Sequence, residues 1–306
     1  MELIRPAKQK VWGWPGVANF ALGGAGAGSY LLAELAAALL QGGGDPARLM
    51  VFRLVGPILV GLGFLVLAVE TDHPLRGRYL LRHLHRSWMS RESLAGLIFT
   101  LTAFLSWLFP HQVLEGMAAV AALGLLISHG FILYRAVAVA AWNVPLMPAL
   151  FVTSGLAMGG GLLLLITSNG PDFGLAAMVL ASVVSDLAAW FLYLYGPRSA
   201  SFRQATSGLR RPAMLFFTVG VGHLLPATLL TLSLTGLWGK ERYLGNMVAG
   251  FCALAGGVGQ KTGITLKAGY LRSIRMEGLQ SDAEGRGPVF PFWLPPIGNG
   301  GESDGA

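Results

Sequence analysis

Cysteine and charged residues are both scarce in this sequence. Among 306 residues there is one cysteine, Cys252, which excludes an intrachain disulfide. It also excludes an iron–sulfur cluster held only by this chain, since such clusters take several thiolates. Charged residues make up 12% of the chain, against about 25% in soluble domains. The shortage of charge excludes an ordinary cytosolic enzyme. If the protein takes part in electron transfer through iron–sulfur clusters, another subunit must carry those clusters.

Long apolar runs take the place of the missing charge. Hydrophobic residues make up 54% of the chain, and a run of roughly 18 of them can cross about 30 Å of hydrocarbon as a helix. About eight runs are present, at 15–40, 51–71, 93–109, 113–137, 145–167, 173–196, 212–238 and 244–270. We therefore predict an all-α integral membrane protein with about eight transmembrane helices, because a spanning segment must satisfy its own backbone groups.

The last residues of the chain differ from the rest. After residue 275 the sequence is rich in glycine and proline and ends in Gly-Gly-Glu-Ser-Asp-Gly-Ala. Segments of this kind cannot bury enough apolar surface to fold alone. We predict a membrane domain over residues 1–275 and a flexible tail over residues 276–306.

Glycine is frequent inside the apolar runs, and its pattern repeats. The first run contains Leu22-Gly23-Gly24-Ala-Gly26-Ala-Gly28, and the fifth contains Ser154-Gly155-Leu-Ala-Met-Gly159-Gly160-Gly161. One interpretation is two four-helix bundles related as parallel repeats. The alternative is that small residues were needed twice for close helix packing.

Lysine and arginine are distributed unevenly between the two sides of the predicted bundle. With eight spans both termini lie on one side, which we call face A and which also carries segments 72–92 and 197–211. Most of the 22 Lys and Arg residues fall on face A. Positively charged loops stay in the cytoplasm, so both termini are predicted to be cytoplasmic. Arginines retained to dock a partner would produce the same bias.

Ionisable groups within the spans are the candidates for chemistry, because they are costly in a membrane unless they face protein or a functional site. Those farthest from the ends of the runs are Glu34, His129, Asp186, His223 and Lys261. The two histidines permit a b-type haem held by paired axial ligands. The acids and the lysine permit a proton relay, a small-molecule transporter or simply an Asp–Lys pair between helices.

The segment between the second and third runs is the best functional candidate. Glu70, His73, Arg76 and Glu92 flank this segment where it meets the membrane. A quinone head group has two carbonyl oxygens that accept hydrogen bonds, and a quinol must lose two protons when it is oxidised. A carboxylate and an imidazole suit that proton exchange. The predicted quinone site therefore consists of these four residues, with Asn19 and Tyr134 as further lining candidates.

Several motifs resemble the membrane-anchor subunits of the polysulfide reductase and DMSO reductase complexes, the NrfD/PsrC–DmsC family. The resemblance lies in Pro74-Leu-Arg76 followed by Ser87-Trp88-Met-Ser90-Arg91-Glu92. It extends to Trp14-Pro15 before the first glycine-rich run and to Trp142-Asn-Val-Pro145 with Ser154-Gly155-Leu-Ala-Met-Gly159-Gly160 in the fifth. It covers residues 12–275.

The resemblance implies an eight-helix anchor that binds a quinone, either menaquinone or ubiquinone, and has no haem or iron–sulfur cluster of its own. It implies a ferredoxin-like iron–sulfur subunit and a molybdopterin catalytic subunit as partners, as in anaerobic respiration. In the family, a histidine that opens the loop motif and a glutamate that ends it are associated with the quinol site. That glutamate matches Glu92 and the motif arginine matches Arg76, whereas Glu70 holds the histidine position and His73 follows it.

The resemblance also implies a location. It places the protein in a bacterial or archaeal inner membrane, with the site on the face that meets the catalytic subunits. Since the charge bias makes face A cytoplasmic, the substrate of the complex would be cytoplasmic too. That fits relatives that oxidise CoA thioesters such as phenylacetyl-CoA.

Overall fold

Helices dominate the computed structural model, which describes residues 2–4, 7–39, 46–70, 83–167, 173–197, 199–237, 242–271 and 274–275. The first six long helices are α1 (Trp14–Leu39), α2 (Pro46–Glu70), α3 (Trp88–Leu108), α4 (Gln112–Tyr134), α5 (Met147–Ile166) and α6 (Phe173–Tyr195). A short α7 (Ala200–Ala205) and a 3-10 turn (Ser207–Arg210) follow.

The last two spans combine α-helix with π-helix. The seventh runs without a break through α8 (Pro212–Leu215), the π-helix π1 (Phe216–Leu224) and α9 (Leu225–Leu234). The eighth consists of α10 (Arg242–Thr262) and the π-helix π2 (Gly263–Lys267). π-helical turns are rare and occur often at functional sites.

A membrane location follows from the helices. Among the described residues, five helical segments are long and apolar enough to cross a bilayer: Trp14–Leu39, Gln112–Tyr134, Met147–Ile166, Phe173–Tyr195 and Pro212–Leu234. Large apolar side chains such as Leu101, Val120 and Phe251 are more than half exposed, as expected of lipid-facing positions. The prediction of an all-α membrane protein is confirmed.

The long helices pack in two groups of four. Helices α1 to α4 contact one another, and α5, α6, the seventh span and the eighth span do the same. The groups meet mainly where α1 lies against α5. A Cβ atom at Gly28 would overlap the carbonyl of Gly155, and one at Gly159 would overlap the backbone of Gly28 and Ser29. The repeated glycines are therefore what lets the two central backbones touch.

The segment between α4 and α5 closes the face A end of the second group. Buried Trp142 donates from its indole nitrogen to the carbonyl of Ile264 in π2, at 2.8 Å. The Tyr193 hydroxyl at the end of α6 donates to the carbonyl of Ala141, at 3.0 Å. These bonds satisfy buried polar groups and fix the segment against both helices.

The chain divides into two compact units, the helical unit of residues 7–272 and a second drawn from residues 1–6 and 273–306. In the second unit the described residues form two strands, β1 (Glu2–Ile4) and β2 (Ile274–Arg275), which pair antiparallel. The predicted tail at 276–306 lies outside the described residues.

Candidate functional site

The residues just before Glu92 form the cap and the first turn of α3. Ser87 is the N-cap, and its side chain accepts a hydrogen bond from a backbone N–H of the first turn. Trp88 stacks on Phe131 of α4 at 4.1 Å, and the Arg91 guanidinium lies 4.2 Å from the Trp88 ring. The helix therefore begins at Trp88 and not at residue 93, because the cap satisfies orphan donors that an apolar pattern cannot reveal. Glu92 lies in the second turn.

Glu92 forms a buried cluster with two residues from other helices. Its Oε1 accepts a hydrogen bond of 2.7 Å from the amide nitrogen of Asn19 on α1. The Nε2 of His129 on α4 lies 3.1 Å from the same oxygen, as an ion-pair contact without hydrogen-bond alignment. The three residues are 2% exposed or less. We call Asn19, Glu92 and His129 the triad.

Glycines and one aromatic ring shape the walls around the triad. Gly23 lies under the His129 ring, so that a Cβ there would be 2.7 Å from Cε1. Gly63 on α2 lies against the Asn19 side chain, with 3.0 Å between a built Cβ and Oδ1. Phe20 meets His129 edge to face at 5.1 Å. The imidazole and the amide therefore sit in places that only glycine leaves open.

The triad has unused hydrogen-bonding capacity. The Nδ1 of His129 is buried and has no hydrogen-bond partner among the described residues. A buried polar nitrogen without a partner is costly and calls for an explanation such as a ligand or a water molecule. The arrangement offers a carboxylate and an imidazole that can exchange protons, beside an amide that can orient a polar group.

The predicted site residues have different outcomes. Asn19 and Glu92 are in direct contact. Tyr134 ends α4, where its carbonyl accepts from the Asn143 side chain. Glu70 ends α2 but its side chain is not described, and His73 and Arg76 lie outside the described residues. As residues of a quinone site, all six stay predictions.

The sequence reasoning missed His129 as the partner of Glu92. Asn19 lies five residues after the start of α1, Glu92 four after the start of α3, and His129 five before the end of α4. In antiparallel neighbours these positions have the same depth. Matching the depths of polar residues across spans would therefore have found the triad.

The haem alternative does not fit the histidine contacts. Both nitrogens of His223 are taken by protein acceptors, the carbonyl of Thr218 and the carboxylate of Asp186. The Nε2 of His129 faces Glu92. An axial ligand needs a free nitrogen lone pair, which His223 could supply only by leaving one of these partners. The sequence also allowed an ion pair between Asp186 and Lys261. In the structure Asp186 pairs with His223 instead.

A second ionic cluster lies near the opposite end of the first four helices. Arg53 of α2 contacts Glu34 of α1 at 2.9 Å and Glu115 of α4 at 2.7 Å. The three side chains are 12–19% exposed. Arg53 therefore joins three helices through two carboxylates that would otherwise repel each other.

An apolar cavity of about 650 Å³ lies on the outer side of α3 and α4. Leu94, Ile98, Met117 and Val120 line its length, and Arg91 with His85 lines its polar part. Glu92 lies on the neighbouring face of α3. An apolar molecule dissolved in lipid thus has a recess along α3, the helix that carries Glu92.

Comparison with known proteins identifies the family. The model of the DMSO reductase anchor subunit family (DmsC) matches residues 9–201. The match covers well over half of the chain and includes all three residues of the triad. No curated protein matches the chain. The chain therefore belongs to the family of DMSO reductase anchor subunits (DmsC).

Proposed function

We propose that this anchor subunit binds a quinone or quinol at the triad and passes electrons between it and a partner subunit. Family membership makes the chain a membrane-anchor subunit of a molybdopterin oxidoreductase complex. The observation that carries the quinone proposal is the fully buried contact of Asn19, Glu92 and His129. Ionisable groups buried in a membrane are functional candidates by default.

The chemistry follows from the groups in the triad. Oxidation of a quinol releases two electrons and two protons and leaves a quinone. Glu92 and His129 accept the protons as general bases, and the Asn19 amide holds the ring oxygen in position. The electrons pass to an iron–sulfur subunit and from there to the molybdopterin subunit. Reduction of a quinone is the same sequence in reverse.

The loop before α3 completes the proposed site. The guanidinium of Arg76 polarises one quinone oxygen, and Glu70 or His73 exchanges a proton with water. Glu70 supports this role by position, since it lies two turns beyond Gly63 in α2, on the side of face A. Tyr134 is a further lining candidate at the same side. The ring is menaquinone or ubiquinone, whose apolar tail suits the cavity along α3 and α4.

The charge bias of the sequence supports a cytoplasmic face A. The catalytic and iron–sulfur subunits would then dock in the cytoplasm of a bacterium or archaeon, and a substrate of the phenylacetyl-CoA type would suit such a complex. Fusion of a reporter active only in the periplasm to the N-terminus tests the orientation. Reporter activity there would contradict it.

Replacement of Glu92 by glutamine tests the proposed function. Glutamine keeps an oxygen that accepts from Asn19 and removes only the charge and the basicity. We expect quinone-coupled turnover of the intact complex to fall about 100-fold or more, the range for loss of a general base. Turnover with an artificial electron donor that bypasses the anchor should be unchanged.

The matched control is Glu115→Gln, which alters a carboxylate near the opposite end of the same four helices. It should keep quinone-coupled turnover near the wild-type rate. Wild-type quinone turnover in the Glu92→Gln complex would contradict the proposed function.

A further inference from the structure

The second group of four helices has its own buried polar cluster. The Oδ2 atom of Asp186 in α6 lies 3.0 Å from the Nε2 atom of His223 in π1. Thr153 of α5 donates to Asp186 Oδ1 at 3.0 Å, and Gln260 of α10 approaches His223 at 3.4 Å. Asp186, His223 and Gln260 are 2% exposed or less. The proposed quinone chemistry uses none of these residues.

The contacts of His223 fix how many protons the pair holds. Its Nδ1 faces the carbonyl of Thr218, which can only accept, so Nδ1 carries a hydrogen. Its Nε2 faces a carboxylate oxygen at hydrogen-bond distance. That contact needs one more proton, carried either by Nε2 or by Asp186. The pair therefore holds one proton beyond a neutral histidine and a free carboxylate.

Gln260 fits the state without that proton. When the proton leaves, the freed lone pair of Nε2 can accept from the Gln260 amide nitrogen, 3.4 Å away. The Gln260 carbonyl oxygen is buried and has no partner among the described residues. By turning its amide, the side chain could instead accept from a protonated Nε2. Both protonation states are thus supplied with a hydrogen-bond partner.

Lys261 lies between this pair and the triad. Its ammonium contacts the Ser154 hydroxyl and lies 4.1 Å from the centre of the Phe151 ring. The same ring is 6.3 Å from the ring of His129. The Lys261 ammonium and the His129 ring are therefore separated by at most about 10 Å, with the Phe151 ring between them.

The repeated sequence pattern gives Lys261 and His129 matching positions in the two groups of helices. In α1 a phenylalanine is followed at intervals of four residues by two glycines, Phe20, Gly24 and Gly28. The same pattern is found in α5 as Phe151, Gly155 and Gly159. His129 meets the first phenylalanine from the last helix of its group, and Lys261 meets the second from the last helix of the other. Lys261 thus occupies, against Phe151, the place that His129 has against Phe20.

We propose that Asp186 and His223 form a reversible proton-holding site, coupled through Lys261 to the charge of the triad. Its coupling to turnover rests on the proposed quinone function. The step moves one proton and no electrons: the hydrogen between Nε2 and Asp186 leaves to solvent, Asp186 stays as carboxylate, and Gln260 donates to Nε2. Protons gained by Glu92 or His129 favour this release by repulsion.

The charged groups that face the pair set the direction of its response. Asp186 itself stabilises an imidazolium, and Lys261 of α10 opposes it, since the two are in electrostatic contact. Lys267, farther along in π2, contacts the Met214 sulfur. Toward the opposite face, buried Val183 and Val179 follow Asp186 along α6.

Infrared titration of the full chain in nanodiscs tests the site directly. A pH difference spectrum should contain a histidine–carboxyl titration that Asp186→Asn removes. Glu92→Gln should keep this titration but move it to lower pH, because the neutral glutamine has the charge of a protonated Glu92. A spectrum unchanged by Asp186→Asn would overturn the proposal. Lys261→Met should move the titration to higher pH, because it removes a positive charge that opposes the imidazolium. No movement would overturn the part assigned to Lys261.

A second variant covers the case in which Asp186→Asn does not fold. Gln260→Met removes the donor for the deprotonated state, so the pair should keep its proton to higher pH, and an unmoved titration would overturn the proposal. In the intact complex, Lys261→Met should shift the pH profile of quinone turnover. If Lys261→Met leaves the pH profile unshifted while Glu92→Gln lowers quinone turnover as expected, only the coupling is refuted. If Glu92→Gln keeps wild-type quinone turnover, the quinone function is refuted, and the infrared result on Asp186 and His223 still stands.

Discussion

Replacement of Gly23 by alanine would displace the His129 ring with a single methyl group. A Cβ at this position would lie 2.7 Å from Cε1 and 3.3 Å from Nε2 of His129. Carbon atoms prefer separations of about 3.5–4.0 Å, so the imidazole must move by roughly 1 Å. The distance of 3.1 Å between Nε2 and Glu92 Oε1 then lengthens to about 4 Å, which weakens the electrostatic contact between the two groups.

The expected effect is larger on function than on stability. Overpacking a tight interior costs about 1–3 kcal/mol, and alanine recovers about 0.5–1 kcal/mol over glycine in a helix. The free energy of unfolding should therefore fall by about 1–2 kcal/mol. A misplacement of about 1 Å can lower turnover by about 100-fold, so we expect quinone-coupled turnover to fall between tenfold and 100-fold.

The assay is quinone-coupled turnover of the intact complex, measured beside thermal unfolding of the purified chain. Gly61→Ala in α2 is the matched control, because its Cβ would meet nothing within 4 Å. It should keep full turnover and equal or higher stability. Wild-type turnover in Gly23→Ala would refute the role of His129 in the triad.

Two further predictions concern the packing of the helices. Arg53→Met leaves Glu34 and Glu115 without their shared cation, which should lower the free energy of unfolding by about 2–4 kcal/mol. An unchanged free energy of unfolding in Arg53→Met would contradict this explanation. Gly159→Ala would drive a Cβ into the backbone of Gly28, which no rotamer can relieve, so the yield of folded protein should collapse. A yield like that of the wild type would show that α1 and α5 do not pack as described.

Much of the fold was predictable because the helices follow from the pattern of apolar residues along the sequence. The apolar runs predicted the helices, and only their ends moved. Helix α3 begins at Trp88, five residues before the start of its apolar run at residue 93, because the Ser87 cap depends on hydrogen bonds that hydropathy does not record. The π-helical turns at Phe216–Leu224 and Gly263–Lys267 had no signal in the hydropathy pattern.

The candidate site was predictable in part. Asn19 and Glu92 were chosen because they are polar residues near the same membrane face, and they touch. His129 and His223 were considered together, although each has a carboxylate partner of its own, Glu92 and Asp186. Chemistry suggested one shared role for two histidines that packing assigns to separate helix groups.

The sequence by itself determined that this chain is a membrane bundle and which family it resembles, because hydrophobicity and motif spacing are written along the chain. It also determined the depth of each polar group, since depth is distance along a helix. Only the tertiary structure decided which polar groups meet. That depends on how each helix is rotated and which neighbour its glycines allow to approach, as Gly23 does for His129.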